Sequence, residues 1–375
     1  MRETTAKTAN RRKMLGLGVA AATIGACSGE NADADQNAGP KLKKRTLKMV
    51  TTWPKSLQGL GTGAQRLADR ITALSQGSLD IRVYAAGDLV QAFDAFDAVS
   101  AGKADMYHGA DYYWQAKSLA YNFYASVPFG MTADEMAAWI NFQGGQELWD
   151  ELSGGFNIKP FAAGNTGTQM GGWFKREINA IDDLKGLRIR MPGLGGEILR
   201  RLGATPVTKA GNELYLALSQ GNIDATEWIG PWNDIALGFH TAAPYYYGPG
   251  FHEPGSTLTL GVNLDVLNSL APVQQQIIKE ACAAETHLML AEYNARNAEA
   301  LEVLRSQHGI VPRTFPADIM AAATKEWSKL LDEVAASDAL TGRVAASFSA
   351  ALAKARGWDD VAQGAFIDAR KTADT

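Results

Sequence analysis

Strand-like and helix-like segments alternate along the first part of the chain. Residues 46–52 and 79–84 alternate polar and apolar side chains, which is the two-residue period of a half-buried strand, and residues 104–108 are a further strand candidate. Residues 61–75 and 90–101 lie between these segments and have the apolar spacing of amphipathic helices. This order favours a parallel sheet covered by helices, and therefore an α/β fold.

The middle and the end of the chain have different patterns. Residues 157–192 contain short β-like runs separated by glycines, and residues 194–203 and 211–220 favour short helices. Residues 256–262 are predicted to form a strand, and a long helix is predicted over residues 271–307. We therefore expect two α/β lobes joined by several chain crossings, with a ligand cleft between them that closes by a hinge motion.

Composition limits the classes of partner. A chain of 375 residues favours two domains over one. Its net charge of −4 argues against a nucleic-acid partner, because phosphate binding needs a basic surface. Cys27 and Cys282 are the two cysteines, too few for a disulfide framework.

The N-terminal segment has the features of an export signal. Residues 1–26 combine a basic start with a short apolar run of small residues, and the Arg11–Arg12 pair resembles a twin-arginine signal. The four residues that end at Cys27 resemble a lipobox, which predicts cleavage and lipidation at that cysteine. Residues 27–45 are polar and aperiodic and would form a flexible tether. The alternative is a plain secretory signal followed by an incidental cysteine.

The sequence offers no recognisable catalytic motif. No two of its five histidines have the i, i+4 spacing of a helical zinc site, and it contains no Cys-x-x-Cys pair. A Gly-x-Ser-x-Gly nucleophile elbow and a Walker loop are also missing. His252 is notable among the histidines because it adjoins Glu253. Missing motifs do not exclude catalysis, but nothing in the sequence recommends it.

Four stretches combine polar side chains with aromatic ones at predicted strand ends; they are residues 164–169, 188–192, 226–228 and 251–254. Strand alternation places Arg188 and Arg190 on the same face. One of them can therefore bind a ligand while the other pairs with an acidic side chain of the protein. The alternative for a lone arginine here is an ordinary surface salt bridge.

These stretches resemble a known family. Residues 185–192 (KGLRIRMP) resemble the arginine-bearing strand of the solute-binding proteins of tripartite ATP-independent periplasmic (TRAP) transporters, the DctP family. Residues 222–232 (NIDATEWIGPW) are similar to the branch that binds 2-oxo and 2-hydroxy monocarboxylates such as pyruvate and lactate. The likeness runs from residues 51–54 (TTWP) through 111–114 (DYYW) to 251–254 (FHEP).

The resemblance implies a two-lobed periplasmic binding protein-like fold with crossing strands and a long helix spanning both lobes. Lobe I would comprise residues 46–167 plus 256–305, and lobe II residues 168–255 plus 306–345. Residues 346–375 would form a C-terminal helix. The implied location is periplasmic, with a TRAP permease in the inner membrane as partner and a small organic acid as ligand.

The resemblance also implies site residues. Arg190 would pair with the carboxylate of the acid, and the predicted substrate-binding residues are Gln169, Arg190, Asn165 and Tyr112. A metal cation, calcium or sodium, would be held by the Gln169 and Glu227 side chains, the Trp228 backbone carbonyl and the Glu253 side chain.

Electrostatics supports a cation in that position. Two glutamates and an anionic acid in one pocket repel one another, at about 4 kcal/mol for each pair 4 Å apart at an effective dielectric constant near 20. Oxygen ligands suit a hard cation such as calcium and argue against zinc or copper. We therefore interpret Glu227 as a metal ligand that Trp228 shields from water.

Three alternatives stay open. A related protein could bind a dicarboxylate, for which Arg188 or Lys55 would supply a second cationic anchor. A secreted enzyme could use the same metal and carboxylates as acid and base. The alanine-rich residues 320–375 could pack on their own lobe or form a homodimer.

Overall fold

Two β-sheets organise the part of the chain that the structure describes. The computed structural model describes residues 42–373, so the predictions for residues 1–26 and for most of residues 27–45 lie outside the described residues. In chain order the strands are β1 (Arg45–Thr51), β2 (Leu79–Tyr84), β3 (Met106–Gly109), β4 (Ile158–Asn165), β5 (Gly172–Phe174), β6 (Arg188–Arg190), β7 (Thr205–Val207), β8 (Ala225–Thr226), β9 (Tyr245–Gly248), β10 (Thr257–Asn263) and β11 (Arg313–Thr314).

Helices cover both sheets. They are α1 (Leu60–Leu74), α2 (Ala95–Ser100), α3 (Tyr121–Ala125), α4 (Ala133–Phe142), α5 (Gly145–Gly154), α6 (Gly193–Arg201), α7 (Gly211–Ser219), α8 (Pro231–Ala236), α9 (Phe239–Ala242), α10 (Leu264–Asn268), α11 (Pro272–His308), α12 (Ala317–Ala335), α13 (Ala339–Asp359) and α14 (Gln363–Thr372). Within residues 42–373, none of the helices combines the length and the apolar composition that a membrane crossing requires.

Lobe I is built on the first sheet, whose strand order is β2-β1-β3-β10-β4. Strands β1, β2 and β3 pair in parallel, as their alternation with helices predicts. Strand β10 arrives much later in the chain and lies antiparallel between β3 and β4, which makes the sheet mixed. All its residues are buried, because it has a strand on each side and is covered on its faces.

Lobe II is built on a second sheet of shorter strands in the order β11-β9-β5-β8-β6-β7. The chain leaves the first sheet through residues 166–171, returns through residues 249–256, and reaches β11 after the end of α11. These crossings confirm the predicted α/β class with two lobes and crossing segments. They also bring polar residues from the linking segments to the line where the lobes meet.

The long helix α11 spans both lobes, as predicted. Its 37 residues extend about 55 Å at 1.5 Å per residue. It packs on β4 and α1 of lobe I and on α8 of lobe II. A Cβ at Gly164 of β4 would lie 2.6 Å from Met289 Sδ, so the close approach of strand and helix depends on that glycine. On the lobe II side, Tyr293 Oη donates a hydrogen bond to Asn233 Oδ1 at 2.9 Å.

The C-terminal region differs from the sequence assignment. Residues 346–375 were expected to form one helix, but the chain forms α13, which begins at Ala339, and then α14. Helix α13 packs on α3, α4 and α5 of lobe I, because Phe348 inserts between Phe123 and Trp139, with ring centroids 5.3 and 5.1 Å away. Helix α12 contacts α6 of lobe II. The other lobe boundaries stay a prediction.

A buried carboxyl in lobe I has a consequence for stability. Asp111 is fully buried and accepts hydrogen bonds from Trp149 Nε1 at 2.9 Å and from the Tyr107 hydroxyl at 3.1 Å. Burial raises the pKa of Asp111 to about 7, and these hydrogen bonds oppose the rise only in part. Between about pH 4 and 7 the folded protein therefore holds a proton that the unfolded chain has lost, so stability falls as pH rises through this range.

Asp111→Asn keeps the shape of the side chain and removes the titration. Relative to the unsubstituted protein, the variant is expected to gain about 3 kcal/mol of unfolding free energy between pH 5 and pH 7.5. Urea unfolding of both proteins at the two pH values measures this difference, in which other titrating groups cancel. A difference that does not change with pH would show that Asp111 is ionised in the folded state throughout.

Candidate functional site

A narrow cavity lies where the two lobes meet. Its apolar and aromatic wall comes largely from lobe I, and its charged group comes from lobe II. The lining residues are Trp53, Leu60, Tyr112, Tyr113, Thr166, Gln169, Arg190, Trp228, Ile229, Ser256 and Leu258.

Arg190 is the charged group at the cavity wall. It is the last residue of β6 and is 1 % exposed. Its Nη1 bonds to the Glu227 carboxylate and, at 3.3 Å, to the Glu227 carbonyl oxygen. Nε donates to the Lys209 carbonyl at 3.3 Å, and Nη2 donates to the Tyr113 hydroxyl at 3.4 Å. The guanidinium lies over the Trp228 ring, 4.8 Å from its centroid. These contacts fix the fork in one orientation.

The charge on Arg190 is maintained by its surroundings. Burial opposes that charge, but Glu227, Tyr113, Tyr112 and Glu253 together outweigh it, so the pKa of the guanidinium is raised above its ordinary value. Pairing of β6 with β8 explains the proximity, because Arg190 lies opposite Thr226 and Glu227 follows directly. The pairing of β6 with β8 therefore places the Glu227 carboxylate next to Arg190.

Two buried carboxylates and a histidine converge beside Arg190. One oxygen each of Glu227 and Glu253 and one ring nitrogen of His252 lie within 4.8 Å of one another, and all three residues are buried. His252 Nε2 lies 3.3 Å from the second oxygen of Glu227 and donates to it, since a carboxylate oxygen can only accept. Burial, followed by the charge of Glu227, raises the pKa of Glu253 to about 7. The cluster is therefore rich in negative charge that the protein compensates only partly.

Gln169 completes this cluster. Its Nε2 donates to Glu253 Oε2 at 2.7 Å and to Thr166 Oγ1 at 3.0 Å. Its Oε1 is buried and has no hydrogen-bond partner within residues 42–373. An unpartnered buried oxygen costs free energy unless a ligand satisfies it.

The arrangement fits a metal cation. Two buried carboxylates have a single guanidinium beside them, and an unpartnered amide oxygen belongs to the same group of residues. Oxygen donors of this kind are the ligands that sodium and calcium prefer. The imidazole of His252 was not part of the predicted oxygen set, and it contacts Glu227 in a way that orients this carboxylate.

Most of the predicted site residues come together. Arg190, Gln169, Trp228 and Tyr112 line the cavity, and two of these hold the glutamates: Arg190 bonds to Glu227 and Gln169 bonds to Glu253. The indole of Trp228 packs under Arg190, while the role of its backbone carbonyl stays a prediction. The ligand-binding roles of all these residues also stay predictions.

Asn165 is not brought to the cavity. It lines a separate groove between α4 and α11. Its Oδ1 accepts the Gly167 backbone N–H at 2.8 Å and its Nδ2 donates to Thr257 Oγ1 at 3.2 Å. Both polar atoms are therefore used to hold the crossing segment that follows β4, which explains why the side chain is turned away from Arg190.

The sequence interpretation missed two of the aromatic residues that line the cavity. Tyr113 contacts Arg190, whereas only its neighbour Tyr112 was predicted; the 3-10 turn Asp111–Trp114 decides which rings face the cavity. Trp53 belongs to the TTWP motif but had been given no role. An aromatic residue in the segment that follows a strand of the first sheet was the available signal for both.

Arg188, the other arginine of β6, has a different role. Arg188 forms a two-pronged pair with Asp224 through Nε at 2.9 Å and Nη2 at 2.5 Å, and it is exposed. The expectation that one of the two arginines pairs with a protein acid is thus met by Arg188. Lys55 lies by a surface depression near α1. Among the described residues that line the cavity, Arg190 is the only one with a cationic side chain.

Comparison with known proteins identifies relatives over nearly the whole chain. Residues 49–338 match the family model of bacterial extracellular solute-binding protein, family 7, DctP. A monocarboxylate 2-oxoacid-binding periplasmic protein of Nostoc sp. is 40% identical over 355 residues, which are 94% of this chain and 96% of the relative.

Solved structures agree with this match. A TRAP transporter solute-binding protein of Bordetella bronchiseptica, a mixed-occupancy dimer with calcium and picolinate in one site, has a TM-score of 0.86 and 35% identity, covering 88% of this chain and 97% of its own. Proteins of Pseudoalteromonas atlantica, with sodium and pyruvate, and of Colwellia psychrerythraea, with calcium and pyruvate, each have a TM-score of 0.84 and 38% identity, covering 87% of this chain and 99% of theirs.

These relatives are receptors for transported solutes, so the prediction of a binding protein instead of an enzyme is confirmed. The two-lobed fold is confirmed by the same structures. With the family model matching most of its length, the chain belongs to the DctP family of extracellular solute-binding proteins, which serve TRAP transporters.

Proposed function

We propose that the protein captures a 2-oxo or 2-hydroxy monocarboxylate, such as pyruvate or lactate, and delivers it to a TRAP permease of the inner membrane. The observation that carries the proposal is the single buried guanidinium of Arg190, set beside two buried carboxylates at a small cavity with aromatic walls. The relatives that contain pyruvate together with sodium or calcium support the same ligand class.

Arg190 would bind the carboxylate of the acid. A guanidinium presents parallel N–H groups that match the two oxygens of a carboxylate, whereas an ammonium acts as a point charge. Four existing contacts already hold the fork in place, so little side-chain entropy remains to be lost when an acid binds. Exclusion of water from the cavity strengthens the resulting ion pair.

Gln169, Glu227, the Trp228 carbonyl and Glu253 would hold a calcium or sodium ion. The ion supplies positive charge that offsets the carboxylates and attracts the oxygens of the acid. Two glutamates and the acid bring three negative charges, and Arg190 returns one, so a divalent ion leaves the group neutral. His252 supports the set by holding one oxygen of Glu227.

The cavity favours a monocarboxylate over a dicarboxylate. A second carboxylate would need a second cationic partner, and neither Arg188 nor Lys55 lines the cavity. Apolar side chains such as Leu60 and Leu258 face the remaining space and suit a short aliphatic substituent. These features argue for a small acid with one charged end.

Calorimetric titration with pyruvate, lactate and succinate in calcium-containing buffer tests the proposal. A ceiling of about 1.5 kcal/mol for each heavy atom limits the binding free energy to roughly 9 kcal/mol. The dissociation constant of the best monocarboxylate is therefore expected to be about a micromolar. Succinate is expected to bind about 100-fold more weakly. Preferential binding of succinate would favour the dicarboxylate alternative instead.

The proposed location is the periplasm, with a membrane tether through lipidated Cys27. The relatives are periplasmic, and the lipobox-like sequence before Cys27 supports the tether. Residues 28–44, which precede β1, would span about 23 Å as a flexible coil, which keeps the protein near its permease. Release of the Cys27→Ser variant into the soluble periplasmic fraction would support this, and an unchanged distribution would contradict it.

We also propose that the protein forms a homodimer through its C-terminal helices. None of the residues of α14 is buried, and Trp358, Val361 and Phe366 are 70%, 74% and 63% exposed. Large apolar groups so close together on a surface favour a protein contact. The dimeric Bordetella bronchiseptica relative is consistent with this proposal.

Native mass measurement is expected to show a dimer that the double variant Trp358→Ser/Phe366→Ser converts to a monomer. Substitution of the isolated exposed residue Phe142, in Phe142→Ser, is the matched control and should leave the dimer intact. A monomer in the unsubstituted protein at micromolar concentration would contradict the proposal.

A further inference from the structure

A fully buried histidine connects the core of lobe I to the cavity wall. His108 lies on β3 and is 0% exposed. Its Nδ1 accepts the Trp53 indole N–H at 2.9 Å, and its Nε2 lies 3.1 Å from the Ala163 carbonyl oxygen. An indole N–H can only donate and a carbonyl can only accept, so the ring carries its proton on Nε2. The imidazole is therefore fixed in one tautomer and one orientation.

Burial keeps this imidazole neutral. It lowers the pKa of His108 to about 4, and the bond to Ala163 offsets the effect only partly. The hydrogen bond from the Trp53 indole to His108 therefore keeps the same donor and acceptor throughout the neutral pH range.

Trp53 is the residue that this histidine holds. It follows β1, lines the cavity and is 2% exposed. Its backbone is fixed by Thr51, whose hydroxyl donates to the Trp53 carbonyl at 3.0 Å. For its side chain, the bond to His108 is the one hydrogen bond within the described residues. The ring also packs against Tyr113, 6.2 Å between centroids, whose hydroxyl meets Arg190.

The two lobes contribute chemically different parts of the cavity wall. The anion-binding Arg190 and its acidic neighbours belong to lobe II and the crossing segments, while Trp53, Leu60 and Leu258 from lobe I are apolar. An acid whose carboxylate is held at Arg190 would therefore turn its carbon substituent toward the lobe I wall. The position of the indole then decides how large a substituent the cavity accepts.

We propose that His108 is a positioning residue that acts through Trp53 to set the size of the acid that the protein selects. This inference rests on the proposed binding of 2-oxo acids. Loss of the imidazole would leave the indole N–H and the Ala163 carbonyl without partners, and the indole would turn to find others. The wall would then admit acids with longer substituents.

The test measures a ratio of affinities in the full-length protein. Titration calorimetry gives the dissociation constants for pyruvate and for 4-methyl-2-oxopentanoate in calcium-containing buffer. His108→Phe is expected to shift their ratio about tenfold in favour of the larger acid. His108→Gln, whose amide offers one acceptor and one donor, is expected to restore much of the original ratio.

A double-mutant cycle separates positioning from a merely structural role. Trp53→Phe removes the indole N–H, so His108→Phe is expected to leave the ratio unchanged in that background. Loss of stability alone would lower the melting temperature without changing the ratio of the two affinities. A folded His108→Phe protein with the original ratio, or an equal shift in the Trp53→Phe background, overturns the inference.

Three further outcomes are informative. If His108→Phe does not fold, Trp53→Phe alone must shift the ratio toward the larger acid, and an unshifted ratio overturns the inference. If the unsubstituted protein binds pyruvate but no variant shifts the ratio, only the role of His108 is rejected. If the unsubstituted protein binds neither of these acids nor lactate, the proposed function itself is rejected, and the inference with it.

Discussion

Replacing Arg190 by lysine is expected to weaken pyruvate binding by about 100-fold, or nearly 3 kcal/mol, with calcium present. Lysine keeps the positive charge but loses the fork that engages both oxygens of a carboxylate. The shorter reach of its single ammonium also cannot maintain the contacts to Tyr113, the Lys209 carbonyl and Glu227 together. Titration calorimetry on the purified protein measures the effect.

Arg188→Lys is the matched control. Arg188 lies two residues earlier on the same strand, but it is exposed and bonds to Asp224. Its substitution is expected to change the affinity less than about threefold, because surface ion pairs contribute at most about 1 kcal/mol to stability and this one lies outside the cavity. Equal effects of the two substitutions would remove Arg190 from its proposed role.

Elements with strong periodicity were predictable from the sequence. The strand expected at residues 79–84 has the same bounds in the structure, and the long helix expected at 271–307 forms at Pro272–His308. Apolar spacing in the strand matches the face that it buries, so local pattern and tertiary packing agree there, whereas the buried face of the long helix also includes Gln274 and Glu285. The first helix, Leu60–Leu74, is a further example.

Helices held by aromatic contacts were not predictable in the same way. Three helices between residues 121 and 154 had no assignment, although they carry Tyr124, Trp139 and Trp149, which stack with centroids 5.1 and 4.7 Å apart. Short helices take most of their stability from tertiary packing. The partners of these rings include Phe348, two hundred residues later, which no local pattern reveals.

The sequence allowed most residues of the site to be predicted, but not their positions relative to one another. The resemblance indicated Glu227 and Glu253, but their convergence brings together the end of β8 and the segment 249–256 that returns to the first sheet. The same geometry turns Asn165 toward Thr257 and places Tyr113 beside Arg190. Tyr112 and Tyr113 both line the cavity, but Tyr113 is the one that bonds to Arg190, and sequence alone does not say which ring meets the guanidinium.

Removal of the cation is expected to weaken pyruvate binding at least 100-fold. Without it the acid would join Glu227 and Glu253, and each like-charge pair costs about 4 kcal/mol at 4 Å and an effective dielectric constant of 20. Because a chelator removes calcium but not sodium, the titration requires a potassium buffer that contains EGTA and no sodium. Return of either calcium or sodium should restore binding, and equal affinity in all buffers would contradict a cation requirement.

Glu253→Gln tests whether repulsion between the carboxylates and the acid causes the cation requirement. The substitution removes one carboxylate from the buried group and keeps an oxygen that can accept from Gln169, so the fold should tolerate it. Calcium affinity is expected to fall, because a charged ligand has become neutral. Pyruvate binding without a cation should improve relative to the unsubstituted protein, because one repulsive pair is gone. The difference between acid binding with and without the cation should therefore become smaller, because the first weakens and the second improves. General damage to the site cannot produce this result, since damage lowers the affinity in every buffer.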